Sequence, residues 1–183
     1  MKTQLRKKYL NIRINMPKQE VTSKSLSIYN KLIDYNGYTT CREIFIYVSN
    51  DNEVDTRNII IKALKDNKKV AVPKVISKRV MKFYYINTMN DLVIGKFNIL
   101  EPVTTIEAKP TVQTLFIMPG IVFDYDKNRI GFGGGYYDYY LSQCQTKFEK
   151  IALCYDSQIV DRIIVDEHDI NPDLILTESK MFK

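Results

Sequence analysis

The sequence predicts an α/β fold, a single three-layer domain over residues 1–183 with a mostly parallel central sheet flanked by helices. Three observations carry this expectation. Short apolar, β-rich runs recur at residues 44–49, 69–75, 114–118, 151–155 and 174–176, as buried strands do. Segments of helical period separate the earlier ones, and strand, helix, strand order is the unit of a parallel sheet. Finally, 183 residues are enough for one full core with no linker.

Taken in order, residues 2–14 space Leu5, Tyr9 and Ile12 by four and three, which predicts an amphipathic helix with a cationic opposite face. A second helix is expected from Pro17 to about Asn36-Gly37, with Ile28, Tyr29, Leu32 and Ile33 as its buried stripe; proline suits a first turn and glycine a stop. Strand 44–49 follows. Asp55 or Thr56 can then cap a helix that buries Ile59, Ile60, Ala63 and Leu64 and ends at Asp66-Asn67. Strand 69–75 completes the βαβ unit, and residues 81–86 read as a further strand. Residues 87–111 suggest only loop and short edge structure. Residues 121–123 are expected to extend strand 114–118 beyond Pro119-Gly120, and a helix is expected from about Gly135 to Cys144.

Composition narrows the function. Hydrophobic residues at 45% and charged residues at 26% fit an ordinary globule, and the longest apolar stretch, 115–123, is broken by Pro119-Gly120 and is too short for a bilayer span. Cys41, Cys144 and Cys154 form no close pair or metal-ligand spacing, so they read as reduced, small core residues in a cytoplasmic chain. One histidine, His168, excludes a site built from several imidazoles. The net charge of +6 points to anionic partners, but the lysines and arginines are spread along the chain, which fits a solvated surface better than a nucleic-acid footprint.

Four of the seven glycines stand at 131, 133, 134 and 135, between an apolar strand and an expected helix. Glycine admits positive φ and lets a ligand approach the backbone, and unpaired amides there favour phosphate. Neither familiar phosphate motif fits. Tyr136-Tyr137 stands where a Walker A loop needs Lys-Ser/Thr, and Tyr136 occupies the third-glycine position of a dinucleotide fingerprint. Arg129 offers a planar fork and Asp138 a carboxylate suited to magnesium. Tyr136, Tyr137, Tyr139 and Tyr140 could add an aromatic wall for a flat ring. The competing reading is a tight turn, with Arg129 a surface charge and Asp138 answering the helix dipole.

The string 118–124 (Met-Pro-Gly-Ile-Val-Phe-Asp), followed by Asn128-Arg129-Ile130-Gly131-Phe132-Gly133-Gly134-Gly135-Tyr136-Tyr137-Asp138, resembles the signature of the 5-formyltetrahydrofolate cyclo-ligase family. Weaker elements occur in the same order: Lys2-Thr3-Gln4-Leu5-Arg6, the segment from Val48-Ser49 to Glu53, and His168-Asp169-Ile170-Asn171-Pro172-Asp173. Phe97 departs from the tryptophan of many members, and Phe132 leaves open how substrate charge is met at that position.

The resemblance implies ATP-driven conversion of 5-formyltetrahydrofolate to 5,10-methenyltetrahydrofolate with release of ADP and phosphate, and Mg2+ as cofactor. It further implies that Lys2, Arg6 and residues 129–137 hold ATP. Val48, Glu53 and residues 132–136 would line the folate, Arg129 and Glu53 would serve catalysis, and Asp138 and Asp169 would serve magnesium. The partners expected are ATP and a folate carrying one or more glutamates, with no nucleic acid and no membrane, in a monomeric enzyme. The rivals are a sugar-phosphate isomerase or acyl-CoA transferase on a similar scaffold, and an RNA-binding module whose affinity would fall steeply with salt.

Overall fold

A computed structural model describes residues 2–50, 52–164 and 166–183. The first helix, α1 (Lys2–Ile14), turns Leu5, Tyr9 and Leu10 toward Ile121, Val122 and Ile130. Ile12, expected on that face, is 38% exposed, whereas Arg13 is 5% exposed. The inward face therefore includes Arg13, a position that apolar periodicity alone does not select. α2 (Lys18–Ile33) buries Ser25, Ile28 and Leu32. It stops before Asn36, and Gly37 belongs to a separate short helix, α3 (Asn36–Thr40), begun after Tyr35 returns to extended backbone.

β1 (Glu43–Ile46), α4 (Arg57–Lys65) and β2 (Lys69–Ser77) form the expected parallel βαβ unit. The Thr56 side chain does not cap α4. Its hydroxyl accepts from the Ser49 N–H at 3.0 Å and donates to the Tyr47 carbonyl at 2.7 Å, closing the end of the strand. Asp55 Oδ1 accepts from the Arg57 N–H instead.

β3 (Val80–Ile86) is antiparallel to β2. Residues 87–111 contain more order than their sequence suggests: a β4 (Leu92–Ile94) and β5 (Leu100–Pro102) hairpin, then β6 (Glu107–Ala108) beside β3. β7 (Thr114–Met118) joins β1 in parallel. β8 (Val122–Asp124) does not prolong it, but pairs with β9 (Arg129–Ile130) in a second sheet. The chain turns off the main sheet at Pro119, which has no N–H to continue a ladder.

The remaining elements are α5 (Tyr136–Ser142), β10 (Glu149–Leu153), β11 (Ile159–Val160), β12 (Leu174–Leu176) and β13 (Met181–Phe182). The eight-stranded sheet runs β13-β12-β10-β7-β1-β2-β3-β6. Its five central strands are mutually parallel, and antiparallel pairings lie toward both edges.

Alternation along each strand divides the core between two faces. Ile44, Ile46, Leu115 and Ile117 face Ile28, Leu32 and Ile59 on α2 and α4. Phe45, Phe116 and Met118 face Leu141 and Tyr140 of α5. Helices thus cover both faces, giving the three-layer arrangement.

Candidate active site

The glycine turn lies at one wall of a cleft of about 1250 Å³, bounded also by α1, the loop after β1, the β2–β3 hairpin and residues 166–170. Lys2, Arg6, Val48, Glu53, Asp138, Asp169 and every position from Arg129 to Tyr137 line it. Two glycines of the turn have left-handed backbones, Gly133 at φ 94° and Gly135 at φ 67°, a region costly for side chains with a Cβ. A Cβ on Gly133 would stand 3.2 Å from the Arg6 guanidinium carbon. Arg6 Nε in turn donates to the Gly131 carbonyl at 2.8 Å, so α1 is fastened directly to the turn.

Arg129 is not an open fork. Its side chain is 4% exposed, with Nη2 donating to Asp138 Oδ1 at 2.6 Å and Nη1 donating to the Pro119 carbonyl at 3.3 Å. Asp138 Oδ1 also accepts from the Ile170 N–H at 3.2 Å. Lys2 Nζ reaches across to Asp166 and Asp169 at 2.6 and 2.5 Å. Burial alone would lower the Lys2 pKa, but the two carboxylates outweigh it and raise it. For Asp169, burial works upward, yet the Asp166 N–H and the Lys2 ammonium carry the net shift down. Both groups therefore stay charged at neutral pH.

The inner end of the cleft is drier. Val48 and Glu53 are buried, and Glu53 Oε2 accepts from the Asn50 N–H at 2.9 Å. Its backbone carbonyl accepts from the Tyr155 hydroxyl at 2.9 Å. Tyr137 has its pKa pushed far up by burial and then by the Glu53 charge, so it remains a phenol. The four tyrosines separate by role: Tyr140 packs on Phe83 and Phe116, Tyr136 meets the Phe97 ring edge-on at 6.3 Å, and Tyr139 is largely exposed.

Several cleft residues were not singled out by sequence reasoning, among them Arg13, Tyr47 and Arg79. For Arg13 a signal existed: it lies seven positions after Arg6, two turns along the same helix face. Among the described residues no group of three or more His, Cys, Asp or Glu is arranged to hold a metal alone. Asp138 Oδ2 and Asp169 Oδ1 have no hydrogen-bond partner among the described residues. Among the described residues no helix is long and apolar enough to cross a membrane.

A parallel-centred α/β sheet with a glycine turn opening onto a charged, partly apolar cleft defines an α/β enzyme with a small-molecule site. The model of the 5-formyltetrahydrofolate cyclo-ligase family matches residues 1–178. The chain is 31% identical over 172 residues to the 5-formyltetrahydrofolate cyclo-ligase of Mus musculus, covering 87% of this chain and 85% of that one. The NMR structure of Aquifex aeolicus 5,10-methenyltetrahydrofolate synthetase superposes with a TM-score of 0.87 at 30% identity, covering 98% of this chain and 91% of that one. The corresponding Mycoplasma pneumoniae structure gives 0.79 at 28% identity, covering 97% and 98%. The chain belongs to the 5-formyltetrahydrofolate cyclo-ligase family and is a ligase.

Proposed function

We propose that the cleft binds ATP and 5-formyltetrahydrofolate together and closes the folate ring in two steps. A formamide carbon is a poor electrophile and its oxygen a poor leaving group. The formyl oxygen therefore attacks the γ-phosphorus of ATP, and the bond to the bridging oxygen breaks to release ADP. N10 then attacks the activated carbon and gives up its proton, phosphate departs with the former formyl oxygen, and the 5,10-methenyltetrahydrofolate cation remains. The protein's part is positioning and charge neutralisation.

In this reading Lys2, Arg6 and residues 129–137 surround the nucleotide. Val48, Glu53 and residues 132–136 surround the folate. Arg129 acts from below the turn by fixing Asp138, and Tyr137 presents its phenol at the inner end of the cleft. Asp138 and Asp169 fit magnesium because each has an oxygen without a hydrogen-bond partner among the described residues, and two carboxylates suffice when phosphates complete the shell. Magnesium, when bound, would neutralise charge on the transferring phosphoryl group. The +6 chain would also favour a glutamate-tailed folate. A monomeric, cytoplasmic enzyme belongs to the same reading.

The observation that supports it is the convergence of Lys2 and Asp169, 167 positions apart, beside the glycine turn in the cleft that also holds Glu53. The test is to mix the protein with magnesium, ATP and 5-formyltetrahydrofolate. Methenyl absorbance should appear with ADP in equal amount; absorbance without ADP, or neither product, rejects the mechanism.

A further inference from the structure

Arg13, in the last turn of α1, lies beneath the exposed ring of Phe132, with its guanidinium carbon 5.3 Å from the ring centroid. Its Nη1 stands 3.8 Å from Glu53 Oε1 and donates to the Gly120 carbonyl at 3.4 Å. The Arg13 and Glu53 side chains are 6% and 9% exposed. The loop carrying Glu53 is tied to the same helix end, since Asn52 Nδ2 donates to the carbonyls of Arg13, Ile14 and Met16 at 2.9, 2.8 and 3.0 Å.

Stability does not account for a guanidinium here. Two desolvated charges break even only when geometry and hydrogen bonding are complete. At 3.8 Å the contact with Glu53 is an ion pair without a hydrogen bond, and Arg13 Nε has no partner among the described residues. The position does meet a need of the site. An opposite charge within about 4–6 Å favours the charged form of a carboxylate, and Phe132 brings none to the turn.

We infer that Arg13 is a positioning residue for the folate half of the cleft: its guanidinium, 3.8 Å from Oε1, fixes the Glu53 carboxylate and seats the Phe132 ring by a cation–π contact. This rests on the proposed function. A fixed, charged carboxylate suits the N–H-rich edge of a reduced pterin, whereas ATP is held by α1 and the turn beyond it.

The test measures both Michaelis constants. Arg13→Met should raise KM for 5-formyltetrahydrofolate by about 30-fold, the expected scale for removing one member of a buried charge pair, and leave KM for ATP nearly unchanged. Arg13→Lys, which keeps the charge, should recover part of the loss. The double variant with Glu53→Gln should fall short of the product of the two single effects, because the part of the Arg13 effect that runs through Glu53 is already lost. An unshifted folate KM in folded Arg13→Met, equal shifts in both constants, or multiplying effects in the double variant would overturn the inference. If Arg13→Met does not fold, the two constants of Arg13→Lys decide it: a folate-only rise supports it, and no rise or an equal rise rejects it. A wild-type protein that forms no methenyl product defeats the functional reading itself, and this inference with it. Normal wild-type turnover with an unshifted folate KM in the variant defeats the inference alone.

Discussion

Arg129 donates from Nη2 to Asp138 Oδ1 at 2.6 Å, joining the strand residue that enters the glycine turn to the helix residue that leaves it. The contact closes the turn from beneath, and Pro119 and Ile170 are drawn into the same knot. The shape of the turn therefore depends on this pair and the two backbone groups it gathers.

Removing either member should be felt in both stability and turnover. Arg129→Met is expected to lower stability by about 3 kcal/mol, the low end for breaking a buried pair, because Asp138 keeps some solvent contact. Asp138→Asn should cost less. Urea unfolding would measure this, and each variant should lose at least about tenfold in kcat/KM, on the scale of one preorganised electrostatic contact. The double variant should be less destabilised than the sum of the singles.

Gly133→Ala forces a Cβ into a left-handed conformation and toward Arg6. The backbone term alone is about 1–2 kcal/mol. Thermal midpoint should fall by several degrees, and KM for ATP should rise more than KM for folate because Arg6 is displaced. An alanine variant with unchanged nucleotide affinity would show that the turn does not shape that half of the cleft.

The Lys2 contact with Asp169 gives a pH dependence of definite sign. Asp169 has its pKa lowered from the ordinary 3.8, so its contribution is present above that value and is lost as pH falls through the depressed one. Lys2 is raised from 10.5, so its contribution is present below that value and is lost as pH rises through the raised one. Lys2→Met should therefore be less stable than the parent from roughly pH 4 to pH 10, with the gap closing on both sides. Thermal melts across pH would measure it.

Phe116 seats α5, stacking on Tyr140 at 6.0 Å and on Phe148 at 5.6 Å and meeting Tyr137 edge-on. Phe116→Ala should cost about 3–5 kcal/mol as a fully buried large-to-small change. It should also lower kcat in the surviving folded protein, since α5 carries Tyr136, Tyr137 and Asp138.

Local pattern by itself determined much of this protein: the parallel βαβ unit, the buried strands, and the glycine cluster at a strand-to-helix junction. Each follows from periodicity or from conformations that few residues accept, and both are written in neighbouring positions. Tertiary structure decided the rest. The turn from β7 into a second sheet at Pro119, the hairpin within 87–111 and the Thr56 hydroxyl serving the strand end rest on pairings that apolar periodicity does not mark. The same holds for α1, where Ile12 is partly exposed and Arg13 is buried. A guanidinium goes inside only when a carboxylate, a carbonyl and an aromatic face from distant segments meet it there, and helical spacing does not encode that meeting.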